Sequence, residues 1–294
     1  MNKASTRLNP SKLTIEPTTR CNFSCVMCVK QAPGNEIENG DLSFNTFTQL
    51  KSVFSGLKNL VFSGIGEPLL HPELEKFVGF AKKRMPEEGR IGLQTNGNLL
   101  DESRLESLLN SGLDEICVSL DAVSAESFKQ IRAGGELGDI EKAFATLKRA
   151  KSMRGQDSFR FGIEFVLMKQ NFRDLPQAVQ WAAENGASFA IVSNLVAYHQ
   201  AAESECMYSP NTNLSLNFYL EWKEKAAALN LDLDSYLKQR WKYHWKYQKT
   251  PEEQALSDFG KEMLKEAYTR QIPLNLTNLM GEDTSLLAET EALF

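Results

Sequence analysis

The chain is 294 residues long, enough to bury roughly 75% of its unfolded surface without disulfide staples, and its 33 Lys and Arg against 38 Asp and Glu give a formal net charge of −5. A hydrophobic content of 42% and a charged content of 24% describe an ordinary globular protein with no basic excess, which argues against nucleic acid as the main partner. No segment approaches the roughly 18 uninterrupted apolar residues of a membrane span, and Met1 to Arg7 have no apolar stretch behind their charges, so no membrane contact and a cytoplasmic location are expected.

Residues 1–12 read as a polar arm ending in Asn9-Pro10-Ser11-Lys12. A first strand, Leu13 to Glu16, leads into a cysteine-bearing loop and a Gly- and Asn-bearing connection over 33–41. A helical pattern follows with apolar Phe47, Leu50, Val53, Phe54 and Leu57, then a second strand from Asn59 to Gly64. The alternation continues with a helix at Pro72 to Lys83, a strand at Arg90 to Thr95, and a helix at Glu102 to Asn110 stopped by Gly112. Further strands are expected at Glu115 to Leu120, Phe159 to Leu167 and Ser188 to Asn194, with helices at 125–132, 139–152 and 174–185 between them.

Six strands joined through helices must run parallel, since such connections are long enough to cross over. The expected fold class is therefore α/β, and ligands in such sheets bind at the carboxyl ends of the strands. Those ends carry the unusual residues: the cysteine loop, Gly64-Ile65-Gly66-Glu67-Pro68, Gln94-Thr95-Asn96-Gly97 and Ser119-Leu120-Asp121. After Asn194 the rhythm stops, and Leu214 onward reads as helical. Thr250-Pro251-Glu252-Glu253 fits a capping box for a helix toward Arg270. Before it, Arg240 to Tyr247 is the densest aromatic and basic stretch, with Trp241 and Trp245, and Tyr243 and Tyr247, at the i,i+4 spacing of helix packing or of a substrate lid.

Three of the five cysteines, Cys21, Cys25 and Cys28, fall within eight positions at C-x3-C-x2-C spacing. In a reducing compartment that pattern points to a soft metal centre. Structural zinc wants four protein ligands, usually as two spaced pairs, and no histidine or fourth cysteine lies close in sequence to complete the set. A cubane iron–sulfur cluster held by three thiolates leaves one iron open for chemistry. Cys117, inside Ile116-Cys117-Val118, reads as core.

On these residues the sequence resembles the radical S-adenosylmethionine enzymes, whose signature is C-x3-C-x2-C at the first strand end of a partial (βα)6, TIM-like barrel. The resemblance covers roughly residues 13–200, leaving 201–294 as a mostly helical carboxyl-terminal region, either a lid or a shortened extension. It implies that Cys21, Cys25 and Cys28 hold a [4Fe-4S] cluster and that S-adenosyl-L-methionine is the cofactor. It further implies cofactor contacts from Gly64, Gly66, Glu67 and Pro68, the counterpart of the family's GGEP segment, from Ser119 and Asp121 (S-x-D), from Arg132, and from Asn96. Met27 stands where the family often has an aromatic residue, and Ile65 separates the two glycines.

The implied reaction is reductive cleavage of the sulfonium to a 5′-deoxyadenosyl radical that abstracts hydrogen from a substrate, an oxidoreductase chemistry fed by a flavodoxin- or ferredoxin-type electron donor. Glu164, His199 and Cys206, with Tyr198, are candidates to act on the substrate. Gly66-Glu67-Pro68-Leu69-Leu70 and Ser119-Leu120-Asp121 resemble the branch containing SPASM-type peptide maturases and the molybdenum-cofactor biosynthesis enzyme, so a peptide or a small-molecule cofactor precursor is the expected substrate. Unlike many of those maturases, this sequence has no cysteine after Cys206, so it is expected either to work with one cluster or to be a shortened version. An iron–sulfur or zinc module without radical chemistry, a sensor or inactive relative, is the reading from a different class.

Overall fold

The computed structural model describes residues 10–155, 158–198, 200–206 and 232–235. One parallel sheet organises them, with strands β1 (Lys12–Ile15), β2 (Asn59–Phe62), β3 (Arg90–Thr95), β4 (Glu115–Ser119), β5 (Arg160–Leu167), β6 (Phe189–Asn194) and β7 (Asp232–Ser235) paired in chain order. The first six match the strands expected from the hydrophobic runs. The seventh lies inside the stretch read as helical. Leu229, Leu231 and Leu233 alternate with Asn230, Asp232 and Asp234, a two-residue period that favours a strand, and β6 provides the edge it pairs with. The Arg240 to Tyr247 stretch and the Thr250 capping box lie outside the described residues.

The helices are α1 (Phe44–Thr48), α2 (Lys51–Phe54), α3 (Leu74–Lys82), α4 (Glu102–Ser111), α5 (Ala125–Ile131), α6 (Leu137–Arg154), α7 (Leu175–Glu184) and α8 (Gln200–Glu205). The single helix expected near Phe47 is split into α1 and α2. Thr48 Oγ1 donates to Asn45 O at 2.8 Å, and such back-bonding by short polar side chains competes with helix propagation. Where the pattern is cleaner the ends follow from local chemistry: Asp101 caps α4 by accepting from Arg104 N, and Gly112 closes it with φ 104°.

The core lies between the sheet and its helices. Leu60, Phe62, Ile91, Leu93, Ile116, Val118, Ile163 and Phe165 face the helices and are fully buried. Phe47 stacks on Phe77 with ring centroids 4.3 Å apart, anchoring α1 and α3 over β2; each such burial stabilises by roughly 1.5–3 kcal/mol. Alternate strand residues turn to the other face, where Val61, Cys117, Phe189 and Ile191 form a smaller apolar cluster of their own. Cys117 is thus core, as its apolar neighbours suggested. Among the described residues no helix is long and apolar enough to cross a membrane.

Candidate active site

The cysteine loop leaves β1 and is fastened to the end of α5 and to the loops after β2 and β3. Ser24 N donates to Ala133 O at 2.7 Å and Val26 N to Ile131 O at 2.9 Å, so the loop backbone runs against the end of α5. Phe23 is buried between them, and a Cβ on Gly135 would stand 2.4 Å from its ring. Glu67 N donates to Arg20 O at 2.8 Å, which draws the loop after β2 beneath the cysteines. There Gly66 is obligatory: a Cβ would sit 2.0 Å from Thr18 O and 2.7 Å from Arg20 O, both backbone atoms. Asn22 completes the fastening, accepting from Asn96 Nδ2 and donating to Asn98 Oδ1, each at 2.8 Å.

Cys21, Cys25 and Cys28 are half-buried, free of disulfides, and close enough that Cys25 feels the charges of both others. Among the described residues their side chains do not converge into a ready metal-binding group. Burial pushes the Cys25 thiol up to about 11 even with Arg132 beside it, and burial likewise raises Cys21, whose Sγ accepts from Phe23 N. As a donor set, three soft thiols on one loop suit an iron–sulfur cluster, and ligation would have to displace their protons.

Arg132 lies against this loop, with one guanidinium nitrogen 3.9 Å from Cys25 Sγ and another 2.5 Å from Asp121 Oδ2. Both residues of the pair are buried. Arg132 loses hydration, but Asp121, Cys25 and Glu164 more than offset that and hold the guanidinium above its ordinary value. Burial raises the Asp121 carboxyl, while Arg132 and the Val166 amide, bound at 2.7 Å, pull it back. The Nε of Arg132 has no hydrogen-bond partner among the described residues, which fits a guanidinium built to receive a further anionic group such as a carboxylate.

Glu67, Asn96 and Thr95 form one network. Glu67 Oε1 accepts from Leu69 N at 3.0 Å and Thr95 Oγ1 at 2.7 Å, and Oε2 accepts from Asn96 N at 2.6 Å. Burial raises this carboxyl and the three donors draw it back down. With three acceptor positions used inside the protein, Glu67 ties the loop after β2 to that after β3 and keeps about one lone pair for anything else. Pro68 opens the 3-10 turn Pro68–Leu70 that Glu67 caps. Gly64 is exposed, Met27 half-buried, and Ser119 ends β4 in register with Glu164.

Glu164 faces the interior of the sheet, half-buried, with Gln94 and Ser193 as partners. Cys206 is buried, its thiol directed to Ala202 O at 3.6 Å and Leu195 O at 3.8 Å within the hydrophobic core. Tyr198 is exposed, and His199 lies outside the described residues.

Several site residues escaped sequence reasoning. Glu16 Oε1 accepts from the amides of Ile65 and Gly66, the latter at 3.2 Å, and a Cβ on Gly64 would strike this carboxylate. Ser63, Gln94 and Ser193 join Glu164, and Asn171 supports Asp121 by donating to its carbonyl at 2.9 Å. The available signal was the two-residue period: Gln94 and Ser193 are polar at inward positions of otherwise apolar strands, as Glu164 is.

Residues 15–182 match the model of the radical SAM superfamily. A tungsten-containing aldehyde ferredoxin oxidoreductase cofactor-modifying protein of Pyrococcus furiosus is 30% identical over 210 residues, 69% of this chain and 56% of its own length. A GTP 3′,8-cyclase of Chlorobaculum tepidum is 31% identical over 139 residues, 47% of this chain and 41% of its own. The chain thus spans about half the length of the curated relatives it matches. Among solved structures, Streptococcus suis SuiB bound to S-adenosylmethionine superposes with a TM-score of 0.60 at 18% identity, over 77% of this chain and 50% of that one, and SuiB bound to the precursor peptide SuiA also superposes at 0.60. At that identity the likeness shows the fold, a partial TIM-like barrel.

Proposed function

The chain belongs to the radical SAM superfamily, and from that premise we propose that it cleaves S-adenosylmethionine reductively and uses the 5′-deoxyadenosyl radical on a peptide or a cofactor precursor. The observation that carries this reading is Arg132, buried against both Cys25 and Asp121 with its Nε unpartnered, which joins the three-thiol loop to a prepared anion site. Cys21, Cys25 and Cys28 would hold a [4Fe-4S] cluster, which when bound supplies the electron for the cleavage.

The chain's own residues do the rest. Arg132 receives the carboxylate of the cofactor's methionine moiety, and its pairing with Asp121 fixes its orientation without cancelling the free N–H. The remaining lone pair of Glu67 and the loop after β2 flank the methionine ammonium. Glu16 and Glu67 hold that loop rigid from two sides, so the cofactor meets a preformed surface. Phe23 and the core beneath it keep water from the loop's inner side.

Supply of the electron by a flavodoxin- or ferredoxin-type protein belongs to the same proposal. The substrate choice draws on the names of the relatives, one cofactor-modifying and one solved with a precursor peptide. Anaerobic reconstitution with iron and sulfide, then dithionite and S-adenosylmethionine, tests it: 5′-deoxyadenosine should form, and Cys25→Ala should lose both bound iron and product. An intact cluster that yields no 5′-deoxyadenosine would mean an iron–sulfur module without radical chemistry, and zinc without iron in the purified protein would mean a zinc module.

A further inference from the structure

A polar chain crosses the inner face of the sheet and has no part in the cofactor contacts above. Ser63 Oγ donates to Gln94 Oε1 at 2.8 Å, Gln94 Nε2 donates to Glu164 Oε2, and Ser193 Oγ donates to Glu164 Oε1 at 3.0 Å. The four residues come from the end of β2 and from β3, β5 and β6. All four keep partial exposure, whereas their neighbours Phe62, Leu93, Ile163, Phe165 and Val192, turned to the helices, are at most 1% exposed. The chain therefore lines an accessible interior surface and is not sealed core.

Two residues earlier on their strands the same face carries Val61 and Ile191, members of the inner apolar cluster. The sheet can close this face with apolar packing and does so one step below. A polar network of this kind contributes little net stability over an apolar replacement, so a packing role does not account for it. Its polarity is also one-directional, since every hydrogen bond in it donates toward Glu164. The carboxylate uses two of about four acceptor positions on these partners and presents the rest to the interior. Among the described residues the cation that acts on Glu164 is Arg132, already bound to Asp121 at 2.5 Å, and their charges cancel, so there an ionised Glu164 leaves one negative charge without a counterion of its own.

We propose that Glu164, oriented by Gln94 and Ser193, is the residue that recognises the substrate, and that it binds a protonated amino group. The proposal rests on the reading of the chain as a radical enzyme insofar as it calls that ligand a substrate; the amine site itself stands on the geometry. Burial raises the Glu164 carboxyl, and a cation alongside would draw it back toward the ionised form.

The probe is pentylammonium chloride, titrated calorimetrically into the full-length, cluster-reconstituted protein, with pentanol as its uncharged match. Pentylammonium should bind saturably, pentanol at least about tenfold more weakly (about 1.4 kcal/mol), and Glu164→Gln should weaken the amine by a similar factor. Glu164→Asp, which keeps the charge, should retain binding better than the glutamine variant, so a glutamine variant that fails to fold leaves both the aspartate arm and the pentanol comparison decisive. Equal binding of amine and alcohol would overturn the proposal. So would unaltered amine binding in Glu164→Gln, or a loss of S-adenosylmethionine affinity there as large as the loss of amine affinity. Formation of 5′-deoxyadenosine by the unaltered protein is measured on the same samples. Its absence with amine binding intact removes the radical reaction and not the site, and its presence without amine binding removes only the site.

Discussion

At the scale of single residues, the site is set by where a side chain is forbidden as much as by where one is supplied. Gly66→Ala would press a methyl onto the carbonyls of Thr18 and Arg20, which cannot move without displacing the cysteine loop, and a loss of about 2 kcal/mol or more in urea unfolding is expected. Gly40→Ala, with nothing within 4 Å, is the control and should stay within about 0.5 kcal/mol. Cys25 adds a pH signature to the metal-free protein. Burial holds its thiol at about 11 against 9.0 for the ordinary group, so the folded chain keeps a proton that the unfolded chain has released. Stability from this group is complete below pH 9 and is lost as pH rises toward 11. Unfolding midpoints across that window should fall more steeply for the parent than for Cys25→Ser.

Among elements, the loops after the strands act as a set because polar side chains reach from one to the next. Asn171, fully buried after β5, donates to Asp121 O and Val166 O and accepts from Met168 N at 2.7 Å. Asn171→Ala leaves three buried backbone groups without that partner and should cost about 2–4 kcal/mol. Because Asp121 orients Arg132, the same variant should also weaken S-adenosylmethionine binding, measured by equilibrium dialysis. A stable Asn171→Ala protein with unchanged affinity would show that Asp121 needs no such support. Helix boundaries obey a different rule. Where capping residues and periodicity agree, as in α4, the sequence reads correctly, whereas in the region of α1 and α2 short polar side chains break a helix that the apolar spacing alone would continue.

For the molecule as a whole, fold and metal are separable. The core between sheet and helices is continuous and takes nothing from the thiols beyond packing at its edge. Replacing Cys21, Cys25 and Cys28 together by serine should therefore leave the unfolding free energy of the metal-free protein within about 1 kcal/mol while abolishing iron binding, checked by urea titration and metal analysis. Global unfolding of that variant would show that the loop helps to hold the barrel together.

The sequence by itself determined the strand–helix alternation, the parallel sheet that follows from it, and the location of the cysteine loop, Glu67 and Asp121 after strand ends, with Arg132 closing the helix that follows β4. Each of these depends on neighbours within a few residues or on the period of a single element. What each polar group touches was decided only by tertiary structure. Gln94 meets Glu164 across 70 residues of chain, and Glu16 meets the Ile65 amide across 49. Such pairings require the register between strands, and register is set by packing of the whole sheet, to which no single strand's pattern gives access. The same reason explains β7 (Asp232–Ser235), which pairs along the edge that β6 offers.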